Sequence, residues 1–159
     1  MIAPAPRLAA EQQRLVDAMV GTWLGELLSF PSPWDPAGGV AVGRTQCRIG
    51  LGGQILISDY AEERDGAITF RGHGVYGWDA QHGVYRMYWF DTVQPTPLLV
   101  PAPGSWTGTE LTFSIQTDVA EHRYVYDFSE RDYYVFRIDL RRSGEQWRTY
   151  ARGQYARQG

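Results

Sequence analysis

Three histidines, one cysteine and twenty-two aromatic rings (6 Trp, 10 Tyr, 6 Phe) are the chemically informative residues of this 159-residue chain. His122 shares a strand face with Tyr124, Tyr126 and Phe128, because side chains two apart on a strand point the same way. His73 shares a face with Arg71, opposite Ile68, Phe70, Tyr76 and Trp78. An imidazole among phenols in a pocket has a movable pKa and can act as a general acid or base. His73 and His122 are therefore the candidate catalytic residues, and the alternative for each is a hydrogen-bonded wall residue. His82 falls in a turn and reads as solvated. Three scattered histidines without HxH or HExxH spacing make no metal site.

Arg148-Thr149-Tyr150 places a guanidinium and a phenol two apart, so both would converge on one carboxylate if that face is inward. The structural alternative is an outward pair, or an arginine stacked on an indole. Asp79, Asp91, Asp127 and Asp132 fall near strand ends. A pair of them would serve glycoside or isomerase chemistry, but aspartates there more often cap turns. Cys47, flanked by Gln46 and Arg48, has no nucleophile motif and reads as a buried or half-buried structural residue; one cysteine allows no internal disulfide. No P-loop or GxSxG occurs, and Gly50-Leu51-Gly52-Gly53 lacks the helix that a dinucleotide fingerprint requires.

The aromatic fraction, 14%, is high. The alternative is a solid core with a tight barrel interior; the argument for a pocket is the excess of Tyr over Leu and Ile, since phenols keep a polar handle that an entirely dry core would leave unpaired. That excess points to a lined pocket. Its expected ligand-binding residues are Trp23, Tyr76, Tyr88, Trp106, His122, Tyr124, Tyr126, Tyr134, Arg148 and Tyr150.

These residues need elements to hold them. Leu8, Leu15, Val16, Met19 and Val20 cluster at helical spacing, which predicts one helix over 8–20, opened by Pro6 and ended by Gly21. Beyond it the texture is β: ten runs at 22–30, 41–50, 54–63, 67–78, 84–92, 97–106, 109–117, 121–129, 132–141 and 145–155. Leu111, Phe113 and Ile115 oppose Thr112, Ser114 and Gln116, and Tyr134, Phe136, Ile138 and Leu140 oppose Tyr133, Val135, Arg137 and Asp139. Asp65-Gly66, Gln81-His82-Gly83, Pro103-Gly104, Thr107-Gly108 and Ser143-Gly144 are turn sequences. Connections this short join only antiparallel neighbours. The sequence thus predicts an all-β fold, a ten-stranded antiparallel up-and-down barrel with one short N-terminal helix, forming one domain over 1–159. The rival is a two-sheet sandwich, whose long crossovers only 31–40 and 93–97 approach.

The net charge is −3 and no basic run occurs, which argues against nucleic acid. No stretch of 18 apolar residues predicts a membrane span. Met1–Arg7 holds two prolines and no apolar h-region, unlike a secretory signal, so the expected location is the cytoplasm. All cations are Arg; Lys and Asn are missing altogether, which a GC-rich genome explains.

Gly21-Thr22-Trp23 directly after the helix resembles the opening of the calycin superfamily of lipocalins, fatty-acid-binding proteins and nitrobindins. Further along, Gly77-Trp78-Asp79, Tyr85–Asp91, Gly104-Ser105-Trp106-Thr107-Gly108, Arg123-Tyr124-Val125-Tyr126 and Gly153-Gln154-Tyr155 resemble an uncharacterised bacterial family, domain of unknown function 1579, over about residues 15–157. The resemblance implies a lipocalin-like barrel in which Trp23 packs across the closed end under an arginine of the last strand, Arg148 or Arg152. Similarity to nitrobindins would imply haem held by a histidine of the last strand; 146–155 contains none, so no cofactor is expected. Similarity to fatty-acid-binding proteins would give Arg148 and Tyr150 a carboxylate to hold, although the proline-rich 31–40 loop cannot form their two-helix lid.

The expected function is binding of a small amphipathic or aromatic molecule, with an anionic group as an option, and no demonstrated chemistry. The alternatives are an enzyme of the same fold using a pocket histidine, or a haem-binding barrel. The expected partner is that small molecule, and an exposed aromatic strand face would serve a homodimer.

Overall fold

Short turns between alternating runs leave each strand only its sequence neighbours to pair with. The computed structural model, which describes residues 3–4, 6–33, 35–93 and 101–159, follows that rule throughout. Helix α1 (Ala10–Met19) precedes strands β1 (Gly21–Ser29), β2 (Gly39–Gly50), β3 (Ile55–Arg64), β4 (Ala67–Asp79), β5 (Val84–Asp91), β6 (Ala102–Thr107), β7 (Glu110–Gln116), β8 (Ala120–Glu130), β9 (Tyr133–Arg142) and β10 (Arg148–Gln158). A 3-10 turn, Leu51–Gly53, joins β2 to β3. Every strand pairs antiparallel with the next, and β10 pairs with β1 from Thr22↔Gln158 to Ser29↔Ala151, closing the barrel. Closure removes both open edges that a ten-strand meander would otherwise expose.

Local chemistry sets the turns. Asp65 and Gly66 have φ of 51° and 78°. A two-residue type I′ hairpin needs both signs positive, which Asp-Gly tolerates. The alternation of β2 places Ala41, Gly43, Thr45 and Cys47 inside and their neighbours outside.

One end of the barrel is plugged. Leu15 and Met19 of α1 are buried against Leu56, Tyr76, Met87, Leu111 and Phe113. Each such apolar side chain contributes about 1.5–3 kcal/mol by leaving water. Gln12, also buried, straps the helix down: its Nε2 donates to Gly53 O at 3.0 Å and its Oε1 accepts from Trp78 N at 2.9 Å. The Tyr85 hydroxyl donates to Glu11 O. No helix among the described residues is long and apolar enough to cross a membrane.

Several boundaries differ from the sequence reading: the helix begins at Ala10 rather than at 8, and the second strand at Gly39 rather than at 41. The helix ends at Met19; Val20 is already extended, and Gly21 (φ 136°) opens β1 instead of ending the helix. The tenth strand runs Arg148–Gln158 rather than 145–155, because its last residues pair with Thr22 and Trp23 of β1. The sixth runs Ala102–Thr107, with 97–100 outside the described residues, and Pro103-Gly104 lies inside it instead of forming a turn, paired with Arg86 and Tyr85 of β5.

Candidate functional site

Inward positions of successive strands meet at one side of the plug and leave a hollow of about 500 Å³. Small residues make the room. A Cβ at Gly43 would lie 2.7 Å from the Tyr155 hydroxyl and 2.8 Å from that of Tyr60, and one at Gly72 would collide with the Trp89 indole. Glycine at these two places lets large rings stand against the wall.

The floor is aromatic. Trp23 meets Tyr134 edge-on at 4.8 Å between centroids, and Tyr134 stacks on Tyr155 at 5.0 Å. Trp23 Nε1 donates to Met19 O at 2.9 Å. The Arg157 guanidinium lies 4.2 Å over the Trp23 ring, donates to Val20 O and pairs with Asp132 at 2.8 Å. The expected stacking partner was Arg148 or Arg152; Arg157 takes the place because β10 extends further and its register sets Arg157 opposite Trp23. The Tyr76 and Tyr126 hydroxyls share a hydrogen bond of 3.2 Å. Burial pushes Tyr76, Tyr126 and Tyr134 well up from the usual phenol range.

Toward the open end the wall becomes polar. Tyr60 lies between Tyr155 (2.9 Å) and Glu62 Oε1 (3.0 Å). Tyr60 has one proton, and an ionised carboxylate only accepts, so Tyr60 donates to Glu62 and Tyr155 donates to Tyr60. Burial pushes the Glu62 carboxyl up, against the opposing pull of the Tyr60 hydrogen bond and the Arg64 charge. Arg64 grips Asp35 at 2.8 Å and Gly38 O at 3.1 Å. On the other side, Asp91 accepts from Trp89 Nε1 at 2.9 Å and from Val93 N at 2.9 Å. His122 and Tyr124 of β8 and Tyr150 of β10 complete the lining. Burial pulls the His122 pKa down and pushes that of Tyr124 up to about 12.

The expected site residues separate into two groups. Trp23, Tyr76, His122, Tyr124, Tyr126, Tyr134 and Tyr150 line the hollow. Four others do not. Tyr88 projects outward and is 47% exposed, since β5 turns its odd-numbered residues inward. Trp106 lies outside the cavity beside α1, where Arg14 stacks on it at 4.0 Å in a shallower groove with Trp78 and Tyr85. Arg148 is exposed and is no part of the lining. A bulge between Thr149 and Ala151 breaks the alternation that would have aligned Arg148 with Tyr150. His73 stands on the outer wall, 2.7 Å from Asp59 on β3, so it is not a pocket acid or base.

The strand-end carboxylates form no dyad. Asp79 caps the His82 turn and holds Arg86 at 3.1 Å, Asp127 accepts from Thr109 and Ser129, and Asp132 holds Arg157. Among the described residues no three His, Cys, Asp or Glu cluster as metal ligands would. The cavity-facing residues of β10 include Tyr150, Ala151 and Tyr155 but no imidazole, so the haem mode expected from nitrobindins does not fit that strand. Tyr60, Glu62, Arg64 and Tyr155 were not among the expected site residues. The one local signal was Tyr60 and Glu62 two apart in a strand; the partner Tyr155 lies 95 residues away.

Among solved structures the chain is similar to the crystal structure of Rv2717c from M. tuberculosis, with a TM-score of 0.64 and 14% identity over 96% of this chain and 100% of that one. At that identity the likeness shows the barrel alone. No curated protein matches. The family model described as Protein of unknown function (DUF1579) matches residues 9–157, nearly the whole barrel, and the chain belongs to that family.

Proposed function

We propose that the barrel is a binding protein for a small amphipathic molecule carrying a ring or other flat apolar body. The observation that carries this reading is the hollow of about 500 Å³ walled by Trp and Tyr rings, with a few polar groups converging at one end. That size and that mixture are what ligand pockets use: apolar area for affinity, sparse polar groups for orientation. A barrel of this strand number can keep an interior space open without losing wall integrity.

Nile red, a neutral ring-bearing dye, tests it. Wild-type protein should bind one equivalent with a blue shift and a rise in emission. Ile138→Trp, which fills space between Tyr124 and Ala151, should weaken binding by about tenfold, or about 1.4 kcal/mol. The circular dichroism spectrum should remain that of wild type. Absence of dye binding, with no co-purified molecule in native mass spectrometry, would overturn the proposal. The same sample answers the haem alternative by the presence of a Soret band.

A second reading has one observation in its favour. His122 lines the cavity, and burial lowers its pKa, so its imidazole is neutral and ready to accept a proton near pH 7. An enzyme built on it would lose turnover in His122→Ala and keep most ligand affinity.

A further inference from the structure

Charge is distributed unevenly around the cavity. Among the described lining residues Arg64 is the sole guanidinium, and it is committed to Asp35 and to Gly38 O. Glu62 and Asp91 add two more carboxylates. Asp91 is taken by Trp89 Nε1 and Val93 N, whereas Glu62 receives only the Tyr60 hydroxyl, on Oε1. Its other oxygen, Oε2, has no hydrogen-bond partner among the described residues.

The surroundings of Glu62 are aromatic. Tyr60 packs edge-on to Phe70 at 6.1 Å and to Tyr155 at 6.4 Å. Ring faces attract a cation, and more so when water is excluded. A half-buried carboxylate with one open oxygen, set among three rings, suits an alkylammonium: the oxygen accepts from N–H and the rings surround the charge. A carboxylate ligand would meet the opposite conditions, since no uncommitted guanidinium faces it among the described lining residues and desolvating two like charges is costly.

Resting on the reading of the barrel as a binding protein, we propose that its ligand is an amphipathic amine, its ammonium seated on Glu62 between Tyr60, Tyr155 and Phe70 and its apolar body extending inward toward Trp23 and Tyr134. Glu62 lies near the open end of β3 and Trp23 at the plugged end of β1, so a ligand would enter tail first and leave its charge nearest the mouth.

The test uses three molecules with one naphthyl body: 2-naphthylmethylamine, 2-naphthalenemethanol and 2-naphthoate. Calorimetric titration at neutral pH should rank them amine, alcohol, carboxylate, with the amine about tenfold tighter than the alcohol. Glu62→Gln retains an acceptor for Tyr60 and should bring the amine down to the level of the alcohol while leaving the alcohol unchanged. A naphthoate that binds as tightly as the amine, or an amine preference that survives Glu62→Gln, overturns the proposal but leaves the binding function standing. Failure of all three to bind overturns both. Should Glu62→Gln not fold, wild type decides by pH. Glu62 faces Tyr60 and Arg64 on its own strand, Tyr155 on β10 and Asp35 on the 31–38 loop, and the residues paired with it, Gly43 and Phe70, do not titrate. Amine affinity should rise with pH as the carboxyl, which burial holds above its ordinary value of 4.5, loses its proton, with alcohol affinity flat across the same range; a flat amine curve counts against it.

Discussion

Cys47 and Tyr124 illustrate what burial does to a single proton. Desolvation pushes the thiol up to about 11, and the phenol up to about 12. Unfolded, the same groups ionise near 9 and 10. The folded chain therefore keeps protons that the unfolded chain releases. The stability they represent is complete below about pH 9 and is lost as pH climbs through 11 for Cys47 and 12 for Tyr124, at about 2–3 kcal/mol each. Urea midpoints measured at about pH 8 and about pH 11 should fall steeply, and Cys47→Ala should shrink the fall between them. Equal slopes for wild type and variant would show that the thiol is not buried as described. At this scale the sequence was informative about type and weak about direction. A lone cysteine without a nucleophile motif reads as buried or half-buried, and Cys47 is buried. His73 and His122 look alike in sequence, yet one faces Asp59 outside and the other the hollow. The parity of a strand becomes inward or outward only once neighbouring strands are paired.

Among the elements, α1 carries more than its length suggests. Its single buried amide serves as donor to one loop and acceptor from one strand, so Gln12 joins the plug to both the 3-10 turn and β4. Gln12→Ala takes the side-chain partner from the buried Gly53 O and from the part-buried Trp78 N, and should cost about 2–3 kcal/mol in urea denaturation. A loss below about 0.5 kcal/mol, the scale of an ordinary surface substitution, would refute that role. Helical spacing, hairpin turns and period-two alternation were all readable, because each depends on residues close in sequence. Bulges were not: the extra residue at Tyr150 follows from how β10 fits β9, and nothing in Arg148-Thr149-Tyr150 marks it. That one irregularity undid the expected guanidinium–phenol pair. The Tyr155–Tyr60–Glu62 chain was hidden for a related reason, since it crosses the barrel from β10 to β3.

The whole molecule is a tube stopped at one end by α1 and, among the described residues, polar at the other. Its closure was readable as a consequence of ten hairpin-linked strands, each needing two neighbours. Its interior was readable only as an excess of rings. What kept those rings from filling the space is the set of small residues opposite them, Gly43, Gly72 and Gly74, whose role appears only when the strands are registered. The seam between first and last strands has a further, mechanical consequence. Thr22 and Gln158 sit side by side at one end of it, Ser29 and Ala151 at the other. Tension applied at Thr22 and Gln158 loads the rungs singly, so they should peel in succession at low force. Tension applied at Ser29 and Gln158 loads all of them in parallel, and the rupture force in an optical trap should be markedly higher, making the molecule strong or weak according to where it is held.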